Sequence, residues 1–460
     1  MHLAWPVSLS INIGFSPEIL PGYDGSEKYL VIYAGKMYLC GEYFKSLQLV
    51  KERIELMAPA GNFESMMAAI QGGADSVYFG IEQLNMRARA TMNFTLEDLG
   101  EIARVCNQHG VKSYITLNTI LYDHDLSLMR RIVDEAASQG ISAIIASDQA
   151  AIGYARSKGV PVHISTQVNI SNIETIKFYA LFADVMVLAR ELSMIQMREI
   201  TQTIEREKIT GPSGELVRIE VFAHGALCMA ISGKCYLSLH THNSSANRGV
   251  CIQNCRRQYE VKDRDEGHEF HIENEYIMSP KDLNTLPFLD QLLDTGIDVL
   301  KIEGRGRAPE YVKSVTQAYR QAIDSVIAGT FTPEKVDGWM SEVEQVYNRG
   351  FWGGYYLGKK LGEWSDTYGS KATTKKVYLG KSLHYFPRVH VGEFKMESHK
   401  LNKGDKLLIT GPVTGVLEFT ADEIRVDDQP VDTIEQGVSF SIKVPDKVRP
   451  SDKLYKIVDA

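Results

Sequence analysis

No apolar run in the 460-residue chain reaches the length of a membrane-spanning helix, so the sequence offers no transmembrane segment and no membrane partner. The opening MHLAWPVSLSINIGFSPEIL has no basic n-region and no convincing small-residue cleavage site, so it is not read as a signal peptide and a cytoplasmic location is expected. Basic residues are in deficit: 50 Lys and Arg against 58 Asp and Glu give a net charge of -8, which argues against a globally basic nucleic-acid binder. A local basic rim on an acidic body remains open. Cysteine is scarce, six residues in all, too few for a disulfide scaffold. Neither H-E-x-x-H nor G-x-S-x-G occurs, so the metalloprotease and α/β-hydrolase signatures are missing.

What is present is a regular alternation. Short apolar or β-branched runs recur at 54–58, 76–80, 112–118, 142–147, 161–166, 184–190, 217–225 and 298–307. Between them lie amphipathic segments such as TLEDLGEIARVCNQHG and DLSLMRRIVDEAASQG, which open on a Thr or Asp suited to cap a helix and close on Gly. Eight strand–helix units predict an α/β fold, a (β/α)8 TIM-like barrel over 53–330, with a doubly wound open sheet as the rival. Residues 1–52 form an extension without a visible motif; Met37 is an alternative start, and Cys40 is then a bystander.

A barrel places chemistry at the C-terminal ends of its strands. Polar residues gather there: Asn85, Arg87 and Arg89, then Asn118, then Asp148 and Gln149, then Thr166, Gln167 and Asn169. Arg190 and Glu191 follow, then His224, and finally Lys301, Glu303, Arg305 and Arg307. Helix caps and solvated loops account for part of this set, but not for so many arginines.

Residues 308–329 read as the eighth helix, with Pro309 in its first turn. A linker over 331–374 contains NRGFWGGYYLGKKLGEW, whose aromatics are read as packing on the barrel rather than stacking on bases. From 375 to 460, short alternating runs separated by turn residues predict a small all-β barrel.

The remaining signal lies between Glu220 and Tyr259, inside an insert spanning 224–276. Cys228, Cys235, Cys251 and Cys255 are spaced C-x6-C-x15-C-x3-C. In a reducing compartment such a group reads as metal ligands. Structural zinc draws on knuckles with two to four residues inside each pair, whereas a [4Fe-4S] cubane needs a wider cage and tolerates irregular spacing. The spacing therefore favours the [4Fe-4S] cluster, with zinc as the alternative. Gly225, Gly233 and Gly249 beside the thiols point to tightly folded backbone, and Arg248, Arg256 and Arg257 supply cations. Cys106 sits on an amphipathic helix and is assigned to the core.

The segment EVFAHGALCMAISGKCYLS resembles the signature of the peptidase U32 family, and SANRGVCIQNCR, LKIEGR, ELMAPAGN, LNMRARA, STQVN and LARELS resemble that family's elements in order, covering about residues 54–460. The resemblance implies an oxygen-independent hydroxylase with a [4Fe-4S] cluster on Cys228, Cys235, Cys251 and Cys255. Chain length fits the branch that makes 5-hydroxyuridine at the tRNA wobble position with prephenate as hydroxyl source. Collagenase-like peptidase activity, an iron-sulfur subunit working with a partner or as a homo-oligomer, and hydroxylation of rRNA or a quinone precursor are the alternatives. On the hydroxylase reading, Arg87, Arg89, Arg190, Arg248, Lys301 and Arg305 are expected to bind substrate carboxylates or phosphates. Gln167, Asn169, His224 and Glu303 are the expected catalytic set.

Overall fold

The computed structural model describes residues 29–33, 36–40, 54–88, 93–259, 276, 278–358, 362–367 and 369–460. Two compact units divide the chain after Val50. In the first, β1 (Tyr29–Tyr33) and β2 (Lys36–Cys40) pair as an antiparallel hairpin.

The second unit begins with strands β3 (Glu55–Pro59), β4 (Ser76–Gly80), β5 (Lys112–Leu117), β6 (Ala143–Ala146), β7 (Val162–Ile164), β8 (Val185–Val187) and β9 (Arg218–Gly225). A short β10 (Asp282–Asn284) precedes the last barrel strand, β11 (Val299–Ile302). Every apolar run read from the sequence becomes a strand. Each of the eight pairs in parallel with the next, and β11 closes the circle by pairing with both β9 and β3. The extra β10 runs antiparallel to the end of β9 and carries β12 (Phe351–Trp352) on its far edge.

The interior is filled by side chains from alternate positions. Met57, Tyr78, Tyr114, Ala143, Ile145, Val185 and Val299 form its apolar core. Below that core, Glu55 accepts from Tyr114 Oη at 2.7 Å, Arg218 at 2.9 Å and Lys112 at 3.1 Å. Burial works to raise the Glu55 pKa, but Arg218, the Tyr114 hydroxyl and Lys112 together hold it down at about 2. Above, Lys301 donates to Glu220 at 2.8 Å.

Helices α1 (Phe63–Gln71), α2 (Leu99–Gln108), α3 (Leu126–Ser138), α4 (Gln149–Ser157), α5 (Ile173–Ala180) and α6 (Met194–Glu207) form the outer layer over β3 to β9. Beyond β9 come α7 (Leu237–His242) in the cysteine insert, α8 (Leu289–Leu293) and α9 (Pro309–Ile327). Within the expected linker, α10 (Pro333–Gln345) starts at Thr332, whose side chain caps it. Val336, Trp339 and Val343 bury one face of that helix. The aromatics that follow do pack on the barrel: Trp352 and Tyr356 are buried, and Tyr356 Oη donates to Phe222 O at 2.8 Å.

The C-terminal part is all-β. Strands β13 (Thr374–Phe386), β14 (Val391–Met396), β16 (Lys406–Gly411), β17 (Gly415–Thr420), β18 (Ile424–Val426), β19 (Gln429–Val431), β21 (Ser439–Lys443) and β22 (Lys453–Asp459) form one antiparallel sheet; β15 (Leu401–Asn402) pairs with β20 (Thr433–Ile434). Leu379, Phe394, Leu407, Ile409, Phe440 and Leu454 are among its core residues. The sheet docks on α1 and α9: Gln71 donates to Thr414 O at 2.9 Å and accepts from Val416 N at 2.8 Å, and Lys313 donates to Val416 O at 3.1 Å. Those two helices flank the junction of β3 and β11.

Candidate functional site

Strand β9 runs into the cysteine insert at Gly225. With φ of 105° there, the chain leaves the sheet flush against β11, and a Cβ at this position would lie 2.3 Å from Glu303 O. A second close approach fixes the far side of the insert. Gly249 has φ of 82°, and a Cβ on it would meet Asn85 O at 2.2 Å. The glycines noted in the sequence thus serve to press the insert onto the rim of the barrel.

Three polar clamps hold it there. Asn169 donates from Nδ2 to Ser232 O at 3.1 Å and to Gln167 O at 2.9 Å. Arg248 pairs with Asp125, donates to Ile120 O at 3.0 Å and lies 4.2 Å from the Tyr122 ring centroid. Arg256 donates to Leu227 O, Pro280 O and Ser279 Oγ at 2.5 to 2.9 Å. Asp125, which the sequence offers as the cap of α3, makes no capping bond to that helix; it accepts from Tyr122 N at 2.8 Å and pairs with Arg248.

Under the insert lies a cavity of about 420 Å³ at the barrel mouth. All four cysteines Cys228, Cys235, Cys251 and Cys255 line it, together with Arg87, Gln167, Arg190, Lys301, Glu303 and Arg305. Neither Asn169, His224 nor Arg248 is among the lining residues. Arg89 lies outside the described residues. Arg256, Arg307, Arg349, Tyr78 and Asn118 also face the space. Asn118 and Arg307 follow from their strand-end positions and Arg256 from its place beside Cys255, whereas Tyr78 and Arg349 carry no such signal.

His224 is displaced for a specific reason. Alternation from Glu220 through Phe222 aims it into the barrel, but the register of β9 against β11 shifts between Lys301 and Ile302, which pair with Phe222 and His224. The bulge skips Ala223, and one residue of slip turns the side chain to the other face. Its ring centroid lies 5.5 Å from Tyr319 and 5.4 Å from Phe351, between the sheet and the outer layer. His224, expected in the catalytic set, thus lies buried among aromatic rings outside the cavity lining, with Nδ1 unpartnered, and Asn169 and Arg248 make the clamps described above.

His163, inside the barrel with its ring centroid 4.5 Å from Tyr114, is buried in the same way. Burial pushes both imidazoles down to about 3; Arg307 adds to this at His224, while at His163 Glu55 opposes it and Lys301, Arg218 and Lys112 add to it. Below the ordinary histidine pKa the unfolded chain takes up protons that the fold refuses, so stability falls as pH drops from 6.5 toward 3. Each histidine should account for about 2 kcal/mol lost by pH 5. Urea unfolding at pH 7 and pH 5 checks this, with a shallower loss expected in His224→Phe.

The mouth is organised around Glu303. Its carboxylate accepts from Arg87 at 3.1 Å and from Tyr78 Oη at 3.1 Å. Burial tends to raise its pKa, but Arg87, Arg190 and Arg305 outweigh burial and hold it at about 2. Arg305 donates to Thr116 Oγ1 at 2.8 Å and Asn85 Oδ1 at 3.0 Å. Arg190 lies over the Phe222 ring at 4.2 Å, with Nε buried and unpartnered. Four cations, Arg87, Arg190, Lys301 and Arg305, thus face two carboxylates, Glu220 and Glu303.

The thiols are all free. Burial raises the Cys255 pKa, Arg256 opposes that, and charge on Cys228, Cys251 and Cys235 adds to it, so the four share one electrostatic neighbourhood. Among the described residues, no three His, Cys, Asp or Glu side chains converge as one bound ion requires. All four thiols line the one cavity. Arg87 feels Cys228 and Cys251 as well as Glu303. No described helix is long and apolar enough to cross a membrane.

Comparison with known proteins adds a family. Residues 61–366 match the model of peptidase family U32. A protein named collagenase from Porphyromonas gingivalis (strain W83) is 58% identical over 87% of this chain and 97% of its own length. The tRNA hydroxylation protein P1 of Bacillus subtilis (strain 168) is 30% identical over 89% of this chain and 96% of its own. The 23S rRNA 5-hydroxycytidine C2501 synthase of Escherichia coli (strain K12) is 37% identical over 60% of this chain and 40% of its own.

Proposed function

The chain belongs to peptidase family U32, and from that premise we propose that it is an oxygen-independent RNA hydroxylase forming 5-hydroxyuridine at the tRNA wobble position, with prephenate as hydroxyl donor. The observation that carries this reading is one cavity walled by four free thiols on one side and by an arginine-rich cluster on the other. The four thiols that line this cavity would hold a [4Fe-4S] cluster, which their irregular C-x6-C-x15-C-x3-C spacing suits better than it suits the paired knuckles of zinc. When bound, such a cluster supplies electrons or an iron that polarises an oxygen donor.

The chain's own residues then bind and orient. Excess positive charge at the mouth suits a small dianion, and Arg190, with an unused Nε, is placed to take a carboxylate. Glu303 stays ionised at neutral pH, so it anchors the guanidinium groups and has no proton to give. Gln167 offers a buried, unpartnered Oε1 to the edge of a base. The phenyl face of Phe222 and the Tyr78 ring cover Lys301, whose charge Glu220 already meets.

Nucleoside analysis of tRNA from a strain without this protein tests the proposal. Loss of 5-hydroxyuridine derivatives, restored by the wild-type chain, is expected; an unchanged profile in a strain with no redundant route would refute it. Peptidase activity is the second reading, favoured by the 58% identity to a protein named collagenase. Against it, the cavity lining holds no histidine to activate a thiol among the described residues. Gelatin cleavage surviving loss of all four cysteines would revive a peptidase with another nucleophile.

A further inference from the structure

Positive charge in the cavity falls into two groups. The inner one, Arg87, Arg190, Lys301 and Arg305, faces Glu220 and Glu303 and suits the small dianion. The outer one is Arg256, Arg307 and Arg349, all in the lining of the same cavity. Among the described residues a single carboxylate serves it: Arg349 donates to Asp282 Oδ1 at 3.3 Å, and Arg307 lies 3.8 Å from Oδ2. Arg256 is taken up by backbone carbonyls and Ser279, and it is close enough to Arg349 to be repelled by it. Arg307 donates no hydrogen bond among the described residues. Its guanidinium lies over the Tyr347 ring, 3.6 Å from the centroid, with that of Arg349 5.2 Å from the same centroid. Tyr347 is itself anchored, since its hydroxyl donates to Gly369 O at 3.2 Å. A ring contact of this kind sets a guanidinium in place and leaves its N–H groups unused.

The loop after β11, EGRGRA from Glu303 to Ala308, builds this arrangement. Arg307 N closes a turn on Gly304 O at 2.8 Å, and a Cβ on Gly304 would meet Tyr311 Cε1 at 2.6 Å, so only glycine lets the turn lie this close to α9. Ala308, the cap residue of α9, makes no side-chain capping bond, and the open N–H groups of the first turn add positive potential beside Arg307. Gly306, Arg307 and Tyr347 also line a second cleft of about 860 Å³, walled by α9, α10 and β13. The outer cations therefore stand where two spaces meet. A polymer with one unit inside the cavity needs such a second opening for its backbone, whereas a free small anion does not. We propose that Arg307 and Arg349 form a subsite for a backbone phosphate of RNA, the phosphate joined to the nucleotide whose base enters the cavity. The proposal rests on the RNA-hydroxylase reading and deepens it. A base reaching a buried site must leave its stack, and a phosphate contact fixes the register of the strand from which it is drawn.

The test uses anaerobically purified full-length protein and a fluorescein-labelled anticodon stem–loop RNA, either natural or with one neutral methylphosphonate linkage on the 5′ or the 3′ side of the wobble uridine. Arg307→Gln and Arg349→Gln should each weaken binding of the natural RNA about tenfold. Each should also flatten the slope of log affinity against log salt by about 0.7, the share of one lost phosphate contact. One of the two neutral linkages should weaken binding by the wild-type protein to a similar degree, a reading that needs no variant to fold. On that RNA Arg307→Gln should lose nothing further, because the contact is already gone. Iron content and thermal midpoint establish that each variant is intact. Equal losses from Arg307→Gln on the natural and both neutral RNAs would overturn the subsite. Unchanged RNA affinity in both variants would overturn it too, and a concurrent loss of prephenate binding by calorimetry would assign these cations to the donor; the hydroxylase reading survives either result. Failure of the wild-type protein to bind the natural RNA would instead refute the RNA reading and the subsite with it.

Discussion

Alanine at any one of Cys228, Cys235, Cys251 or Cys255 is expected to cost the anaerobically purified protein most of its iron, its acid-labile sulfide and its visible colour. The reason is the absence of a spare ligand among the described residues. These give the cavity lining no fifth cysteine and no histidine, and its carboxylate, Glu303, is held by Arg87 and Tyr78. Cys106 is fully buried on α2, where burial pushes it up to about 12. A cluster missing one thiolate would have only water to complete its coordination. Iron and sulfide analysis with visible spectroscopy reads the result; zinc at full occupancy in the anaerobic wild-type protein would sink the cluster assignment.

Glu303→Gln is expected to destabilise the fold by about 3–5 kcal/mol, the usual cost of stripping a buried charge of its partner. The substitution keeps the shape and a hydrogen-bonding oxygen for Tyr78, so packing alone predicts little change. What it removes is the anion shared by Arg87, Arg190 and Arg305. Their guanidinium groups would then repel one another at close range in a water-poor space. Urea unfolding at pH 7 measures the loss, and added sulfate or a small dicarboxylate should return part of it by occupying the vacated charge. A loss below about 1 kcal/mol would mean that solvent already screens these cations as it does surface pairs.

The barrel was legible because its strands are buried on both faces and therefore read as unbroken apolar runs, while the amphipathic segments between them show their period plainly. The four cysteines were legible because a rare residue recurs in a short span. Side-chain direction was harder. His224 follows the inward alternation of Glu220 and Phe222, and only the bulge opposite Lys301 and Ile302, a property of pairing rather than of either strand, turns it away. Asn169 and Arg248 carry the residue types of a binding site, yet they spend their hydrogen bonds on Ser232 and Asp125, partners 63 and 123 positions distant. No local pattern encodes such contacts. By contrast α10 was readable: Thr332 and Pro333 announce a helix start, and Val336, Trp339 and Val343 keep its period. The dense glycine and aromatic run just after it drew the whole span toward a linker reading.

The docking of the C-terminal sheet on α1 and α9 has a consequence for the order of events during synthesis. Gln71 reaches Thr414 and Val416 across 343 and 345 positions of chain, and those contacts cross the place where the first and last strands of the barrel meet. A nascent chain can assemble strands β3 to β9 side by side as they emerge, but the ring's only junction between its two ends waits for β11, and the tie across that junction waits for β17. The cysteine insert, emitted midway, is thus fully made before the ring beneath it is fastened, so the cavity reaches its final form only near the end of translation.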